Sequence, residues 1–299
     1  MLSGTQITFL GGDARQLEVI QRMTELDASV KLVGFDNLNQ KFNGAVHAEM
    51  TEDVLADADA VLLPPVGTDD AGMVEALFTS KELQLTDTHM SFLPKHAKIY
   101  TGMAKPYLRE RCKKYDIALV ELLDRDDVAI YNSIPTAEGA IMLAIQNTDI
   151  TIHGSVSIVL GFGRTGITLA RVLQGMGSKV LVGVRRKEHF ARAYEMGFTP
   201  FYTAQLQSNV TKADFLFNTV PSLIVTAQVI AAMSPRAVII DLASKPGGCD
   251  FRFADKRGIK AILAPGLPGI VAPKTAGKII ASVVSELIME DLEKRRNQP

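Results

Sequence analysis

The residues VLGFGRTGITLARVL (Val159–Leu173), followed by KVLVGVRR (Lys179–Arg186), decide how the rest of the chain is read. An apolar run ends in Gly161, Gly163 and Gly166, spaced G-x-G-x-x-G, and an amphipathic helical pattern starts at once. That spacing alone is a weak signal. Strand, glycines and helix in this order carry it, because each glycine has a task. The first permits a tight turn, the second lets backbone approach a pyrophosphate, and the third lets helix pack close to strand. The N–H groups at the helix start then face the phosphates. Residues Gly161, Phe162, Gly163, Arg164, Thr165 and Gly166 are therefore read as the cradle of a Rossmann dinucleotide-binding unit, against the plainer alternative of a structural glycine turn.

About 20 residues further on, such units carry an acid for the adenosine ribose hydroxyls. Here the second strand ends in Gly183, Val184, Arg185, Arg186 and Lys187. An acid would repel a 2′-phosphate, whereas a guanidinium binds it through two hydrogen bonds. Arg185 and Arg186 thus argue for NADP rather than NAD; otherwise they are solvent-facing residues of a turn.

Outward from this unit, short apolar runs alternate with amphipathic stretches, the pattern of parallel sheets flanked by helices. In the first half, strands are expected at 6–10, 30–34, 60–63, 97–101 and 117–120, with helices at 14–27 and 105–114. A linking helix is expected to start near Thr136, with Thr136 as N-cap and Glu138 in its first turn. The second half restarts with strands at 155–160, 179–183, 214–218, 237–241 and 260–263 and helices at 164–176, 187–196 and 226–232. A last helix at 274–295 carries Ile280, Val283, Val284, Leu287 and Ile288 on one face. The fold class is α/β: two doubly wound parallel-sheet domains, with the C-terminal helix packing back on the first. The expected division is a substrate or partner domain at 1–131, a linking helix at 132–150, an NADP-binding domain at 151–270, and the C-terminal helix and tail at 271–299. A ligand cleft is expected where the C-terminal ends of both sheets meet.

Bulk properties exclude several other classes. The formal net charge is −1 and the chain is 47% hydrophobic, which recommends neither a nucleic-acid nor a membrane partner. No run reaches the roughly 18 to 20 apolar residues of a bilayer span, and the N-terminal MLSGTQITFLGGDARQ lacks the marks of a secretion signal. Cys112 and Cys249 form no framework, which suits a reducing cytosol. The histidines at 47, 89, 96, 153 and 189 never cluster with other ligand types, so no metal site is expected. The charged tail EDLEKRRNQP reads as a solvated end.

Further loops are expected around the nicotinamide. NTVPS (218–222) places Thr219, Val220 and Pro221 beside the cofactor ribose, and DLASKPGG (241–248) brings Ala243, Ser244 and Lys245 to the cleft. APGLPGIVAPKTAG (264–277) contributes Pro265 and leads into a helix with Lys274 in its first turn. A cation there opposes the helix dipole unless an anion binds with it; pointing to water is the alternative. In the first half, GGDARQ (11–16) lacks the third glycine, so Arg15 either meets a substrate carboxylate or forms a turn with Asp13. His89 and His96 are read as packing or surface residues.

No nucleophile pair or metal site is recognisable, so the cofactor carries the chemistry as a hydride carrier. A hydroxy-acid dehydrogenase needs a histidine acid/base opposite the nicotinamide, and the usual late position holds APGLPG instead. NSIPTAEGAIMLAI (132–145), LGFGRTG (160–166), DLASKPGG (241–248), LAPGLPGIVAPKTAG (263–277) and FLGGDARQ (9–16) resemble the dipicolinate synthase A-subunit family over essentially the whole chain. The resemblance implies a cytoplasmic enzyme of the mother cell in a sporulating bacterium. It implies oxidation of a dihydrodipicolinate-type precursor to dipicolinate with NADP, alongside a second, flavoprotein-like subunit. A homo-oligomer is expected. Aromatisation supplies driving force, so no catalytic base is assigned; Glu138 is the titratable group closest to qualifying. The dicarboxylate calls for cations and donors: Arg15, Lys245 and Lys274, with Thr136, Ser222 and Thr275. Two other readings stay open, an NADP-dependent 2-hydroxy- or amino-acid dehydrogenase and a non-catalytic nucleotide-binding subunit supporting a partner.

Overall fold

The structure, a computed structural model, describes residues 1–296. Two compact units divide the chain: Met1–Ala129 together with the stretch from Ala272 onward, and Ile130–Val271. The first unit holds β1 (Gln6–Leu10), β2 (Ser29–Val33), β3 (Ala45–Ala48), β4 (Ala60–Leu62), β5 (Lys98–Thr101) and β6 (Ala118–Glu121). The second holds β7 (Val156–Leu160), β8 (Lys179–Val184), β9 (Thr199–Tyr202), β10 (Phe215–Asn218), β11 (Val238–Asp241) and β12 (Lys260–Leu263). The strand pairings within the two sheets are parallel, in the orders β3-β2-β1-β4-β5-β6 and β9-β8-β7-β10-β11-β12. Both units therefore repeat the dinucleotide-binding order 3-2-1-4-5-6, with the order reversing between β1 and β4 and between β7 and β10.

Helices cover both faces of each sheet, which is why the central strands are apolar without alternation. VSIVL, FLFN and VIID are buried almost throughout, Ile158 and Leu160 packing to one side and Val159, Phe217 and Ile240 to the other. The last helix, Pro273–Arg296, belongs to the first unit: Val283, Val284 and Ile288 share a core with Val19, Ile20 and Met23 of helix Ala14–Glu25. Gly277 makes this approach close, since a Cβ there would lie 2.4 Å from the Arg15 carbonyl oxygen. Further along, Tyr100 Oη donates to Asp291 Oδ2 at 2.9 Å, Lys98 pairs with Asp291 at 2.6 Å, and Arg295 pairs with Asp59 at 3.0 Å.

One helix departs from expectation. It runs from Asp126 to Gln146, so Thr136 is not its N-cap and Glu138 is not in its first turn. Asp126 and Asp127 occupy that turn instead, favourably placed against the dipole. Pro135 sits within the helix and leaves the Tyr131 carbonyl without its usual donor. Neighbouring carbonyls are taken up by side chains, Ser133 Oγ donating to Ile130 O at 2.6 Å and Thr136 Oγ1 to Asn132 O at 2.7 Å. The same helix corrects the reading of membrane spans: by length and composition alone it is long and apolar enough to cross a bilayer. In the fold, its Ala137, Ala140, Ile141 and Ala144 are buried in the core of the second unit. The edge strands β3 and β9 are additions to the expected set. Both are four residues long, β3 is largely exposed, and β9 contains Pro200, which an edge tolerates.

Candidate dinucleotide-binding site

The three glycines of the 161–166 loop have separable reasons. Gly161 has φ +93°, and a Cβ there would lie 2.3 Å from Thr219 Oγ1. At Gly166 a Cβ would lie 2.2 Å from the Gly161 carbonyl oxygen, so only glycine lets helix Arg164–Gly175 pack at this distance from β7. Gly163 differs: its φ is −99°, open to any residue, and a Cβ would meet nothing within 4 Å. Nothing among the described residues requires glycine at 163, and the open space leaves room for a pyrophosphate against the backbone. Gly163 is also the N-cap and makes no side-chain cap bond, and a helix start is where backbone N–H groups can face an anion. The residues present fit a dinucleotide.

Beyond the glycines a cavity of about 160 Å³ opens at the ends of β8 and β9. Gly161, Phe162, Gly183 and Val184 line it with Arg185, Arg186, His189, Thr203, Val220, Ser222 and Ile224. No carboxylate is among them. Arg185 is exposed; Arg186 Nη1 lies 3.4 Å from Glu188 and its Nη2 lies 3.3 Å from His189 Nε2.

Below this cavity lies a buried pair that motif reading overlooked. Asn218, closing β10, and Asp241, closing β11, are fully buried. Asn218 Nδ2 donates to Asp241 Oδ1 at 2.9 Å and to Val220 O at 3.0 Å, while Asn218 Oδ1 accepts from Val220 N at 3.0 Å. Asp241 also accepts from Ala243 N at 3.0 Å and Gly248 N at 2.6 Å. One side-chain pair thus fixes both loops that follow these strands, and each polar group has its partner, as a buried one requires. The quoted stretches NTVPS and DLASKPGG begin with these two residues, which was the available signal.

Comparison with known proteins bears on both units. Residues 6–123 match the family model of the N-terminal domain of the dipicolinate synthase A subunit. Residues 137–245 match that of the D-isomer specific 2-hydroxyacid dehydrogenase, NAD binding domain. The dipicolinate synthase A subunit of Bacillus subtilis (strain 168) is 50% identical over 290 residues, covering 97% of this chain and 98% of its own. The chain belongs to the dipicolinate synthase A-subunit family. Crystal structures agree: the family member from Bacillus halodurans superposes with a TM-score of 0.94 at 49% identity, covering 96% of this chain and 99% of its own. The corresponding chain of dipicolinate synthase from Bacillus subtilis gives 0.94 and 49%, covering 98% and 99%. As a member of this dipicolinate synthase family, the chain carries a nicotinamide-dinucleotide-binding domain of the dehydrogenase kind, which places it among the oxidoreductases.

Within this dipicolinate synthase family member, the residues singled out from sequence fall into groups. Gly161, Phe162, Arg185, Arg186, Val220 and Ser222 surround one cavity, so Ser222, expected at the substrate, lines the same cavity as residues expected at the cofactor. Arg164 and Thr165 form the first turn of the following helix. Thr219 sits under Gly161 with its hydroxyl donating to Leu160 O at 2.8 Å. Pro221 is exposed, Ala243 is buried, and Ser244, Lys245 and Pro265 are exposed on their loops. Glu138 instead borders a shallow hollow made with Ile141, Ile145, Val172 and Met176. In the first unit, Lys274 and Thr275 lie exposed in the first turn of the last helix, near the start of helix Ala14–Glu25 because Gly277 abuts Arg15. Arg15 is engaged by Asp13, its Nε 3.0 Å from both carboxylate oxygens, which is the turn alternative. His89 closes a capping box with Thr86, and His96 Nε2 lies 3.3 Å from Asp59.

The GGDARQ corner of the first unit repeats the second unit's strand geometry, Gly11 N donating to Val33 O at 2.9 Å as Gly161 N donates to Gly183 O at 3.0 Å. Its phosphate position is filled by the chain itself. Gly12 N donates to Glu75 O at 2.8 Å, Leu77 N donates to Gly12 O at 3.0 Å, and a Cβ on Gly11 would lie 2.6 Å from Glu75 O.

Proposed function

We propose that this chain oxidises a dihydrodipicolinate-type precursor to dipicolinate with NADP as acceptor, acting with a second, flavoprotein-like subunit in the cytoplasm of a sporulating cell. The observation that carries the reading is the cavity at the end of β8, lined by Arg185 and Arg186 and by no carboxylate, in a chain half identical to a protein named for dipicolinate synthesis. The balance is one dihydropyridine dicarboxylate plus NADP⁺ giving one pyridine dicarboxylate, NADPH and a proton. Bound nicotinamide supplies the two-electron acceptor.

The chain's own residues bind and position. The first-turn N–H groups of helix Arg164–Gly175 take the pyrophosphate, Gly163 admits it, and Arg185 takes the 2′-phosphate at the open rim. Asn218 and Asp241 hold the loops 218–222 and 241–248 in shape. The substrate's two carboxylates need cations. Lys274 and Lys245, both exposed, are the cations proposed for them, with the Thr275 hydroxyl next to Lys274 as a neutral donor; Arg15, held by Asp13, is not among them. Lys274→Ala is expected to raise KM for the dicarboxylate more than about tenfold while leaving NADP affinity nearly intact; an unchanged KM removes Lys274 from the site. Arg185→Asp is expected to abolish the preference for NADP over NAD, and an unchanged preference overturns the cofactor assignment.

A further inference from the structure

The cavity at the end of β8 contains a third basic group for which the reaction has no use. His189 lies in the first turn of helix Lys187–Glu195, its ring edge toward Phe162 at 6.4 Å between centroids, half-buried against the glycine loop. Its Nε2 is 3.3 Å from Arg186 Nη2. A guanidinium only donates, so Nε2 is the acceptor side of this contact. Two potential cations thus share one hydrogen bond at a wall with no carboxylate. The charged neighbours are Arg185 and Arg186 on the cavity side and Glu188, drawn to Arg186 at 3.4 Å; Lys187 stands two residues earlier on the same helix. Across the cavity, the β9 side contributes Thr203, a hydroxyl donor. A neutral imidazole accepting from Arg186 gives an adenosine hydroxyl nothing that a carboxylate would not give better. An anion placed there would break the Arg186–His189 bond and accept from both groups.

We propose that His189 is a specificity-determining residue for the 2′-phosphate of NADP: it contacts the phosphate in its protonated form, with Arg185, Arg186 and Thr203 completing the site. This rests on the dinucleotide reading above and goes beyond it by naming the proton as a co-ligand. Binding of NADP then draws a proton onto His189, whereas NAD, lacking the phosphate, draws none. The sign follows from linkage. A proton bound more tightly in the complex strengthens binding as pH falls through the imidazole range. The phosphate works in the opposite direction, because a cationic site favours its dianion and its own second ionisation lies at about pH 6. Only the difference between wild type and a variant lacking the imidazole isolates the effect.

The test is the Kd of the full chain for NADP and for NAD between about pH 6 and pH 8.5, in wild type and in His189→Gln, which keeps polarity and approximate size. The expected wild-type advantage for NADP is about tenfold near the acid end, as for one lost charge-assisted contact, shrinking to about twofold at the alkaline end. NAD affinity is expected to be unchanged by the substitution. Titration calorimetry in buffers of different ionisation enthalpy should show proton uptake with NADP that is reduced in His189→Gln. Equal loss for NADP and NAD, or a pH-independent ratio, overturns the proposal and leaves His189 as a packing partner of Phe162. Tight NAD binding without NADP preference in wild type overturns the cofactor reading itself, a result distinct from either. Thr203→Val provides the second variant: it should weaken NADP but not NAD, and equal effects on both count against the site as drawn.

Discussion

Gly163→Ser separates binding from folding more cleanly than any other change in the glycine loop. The position has extended backbone, φ −99° and ψ −161°, and open space where a Cβ would go. Serine is a better N-cap than glycine, so fold stability should stay level or rise by about 0.3 kcal/mol. Binding should behave in the opposite way. On the proposed reading the new side chain takes the place of the approaching phosphates, and its oxygen competes with them for first-turn N–H groups. Two hydrogen bonds to a charged phosphate, at about 1.5 kcal/mol or more each, amount to about a hundredfold in Kd. The assay is thermal or urea unfolding of the full chain with and without NADP. At NADP near 100 times its Kd, wild type should gain about 2.7 kcal/mol, and the variant, for which the same concentration is near its own Kd, about 0.4 kcal/mol. Wild-type NADP affinity in a normally folded Gly163→Ser chain would refute the reasoning, since the open space would then serve no ligand.

Gly166→Ala should instead damage the fold, because its Cβ would lie 2.2 Å from the Gly161 carbonyl oxygen; a loss of about 1–3 kcal/mol is expected in urea unfolding. Asn218→Ala removes a donor to buried Asp241 and both bonds to Val220, for an expected cost of about 2–4 kcal/mol with weakened NADP binding; a loss below about 0.5 kcal/mol would mean the pair does not hold the loops. Burial pushes the Cys112 and Cys249 thiols up to about 12, so thiol reagents at neutral pH should label the native chain only through unfolding. Because each thiol holds its proton more tightly folded than unfolded, stability should fall as pH rises above about 8.5, by about 1.4 kcal/mol per pH unit per thiol until the folded value is reached. Cys112→Ala/Cys249→Ala chains should lack that slope.

The parallel sheets were legible because their central strands are buried on both sides and therefore apolar without interruption, as in VSIVL and VIID. What escaped was short and weakly patterned: β3 is largely exposed, and β9 carries a proline. The start of helix Asp126–Gln146 was obscured because Pro135 and Thr136 imitate a helix beginning, while the hydroxyls of Ser133 and Thr136 relieve the break from within. At the candidate site, the turn glycine Gly161 and the packing glycine Gly166 could be read, since glycine spacing reports backbone geometry directly. Side-chain partnerships were less legible: the Asp13–Arg15 turn was one of two alternatives, and that Asn218 binds Asp241 or that His189 meets Arg186 depends on contacts which spacing does not encode.

The central claim is that electrons leave a dihydropyridine dicarboxylate through a dinucleotide held at Arg185. Its most direct measurement is a product count: the chain and its partner subunit, given NADP and freshly generated precursor, with dipicolinate and NADPH quantified in the same sample. The account predicts equal amounts of the two, with formation lost in Gly163→Ser. Dipicolinate appearing with no NADPH, or at the same rate in Gly163→Ser, would contradict it.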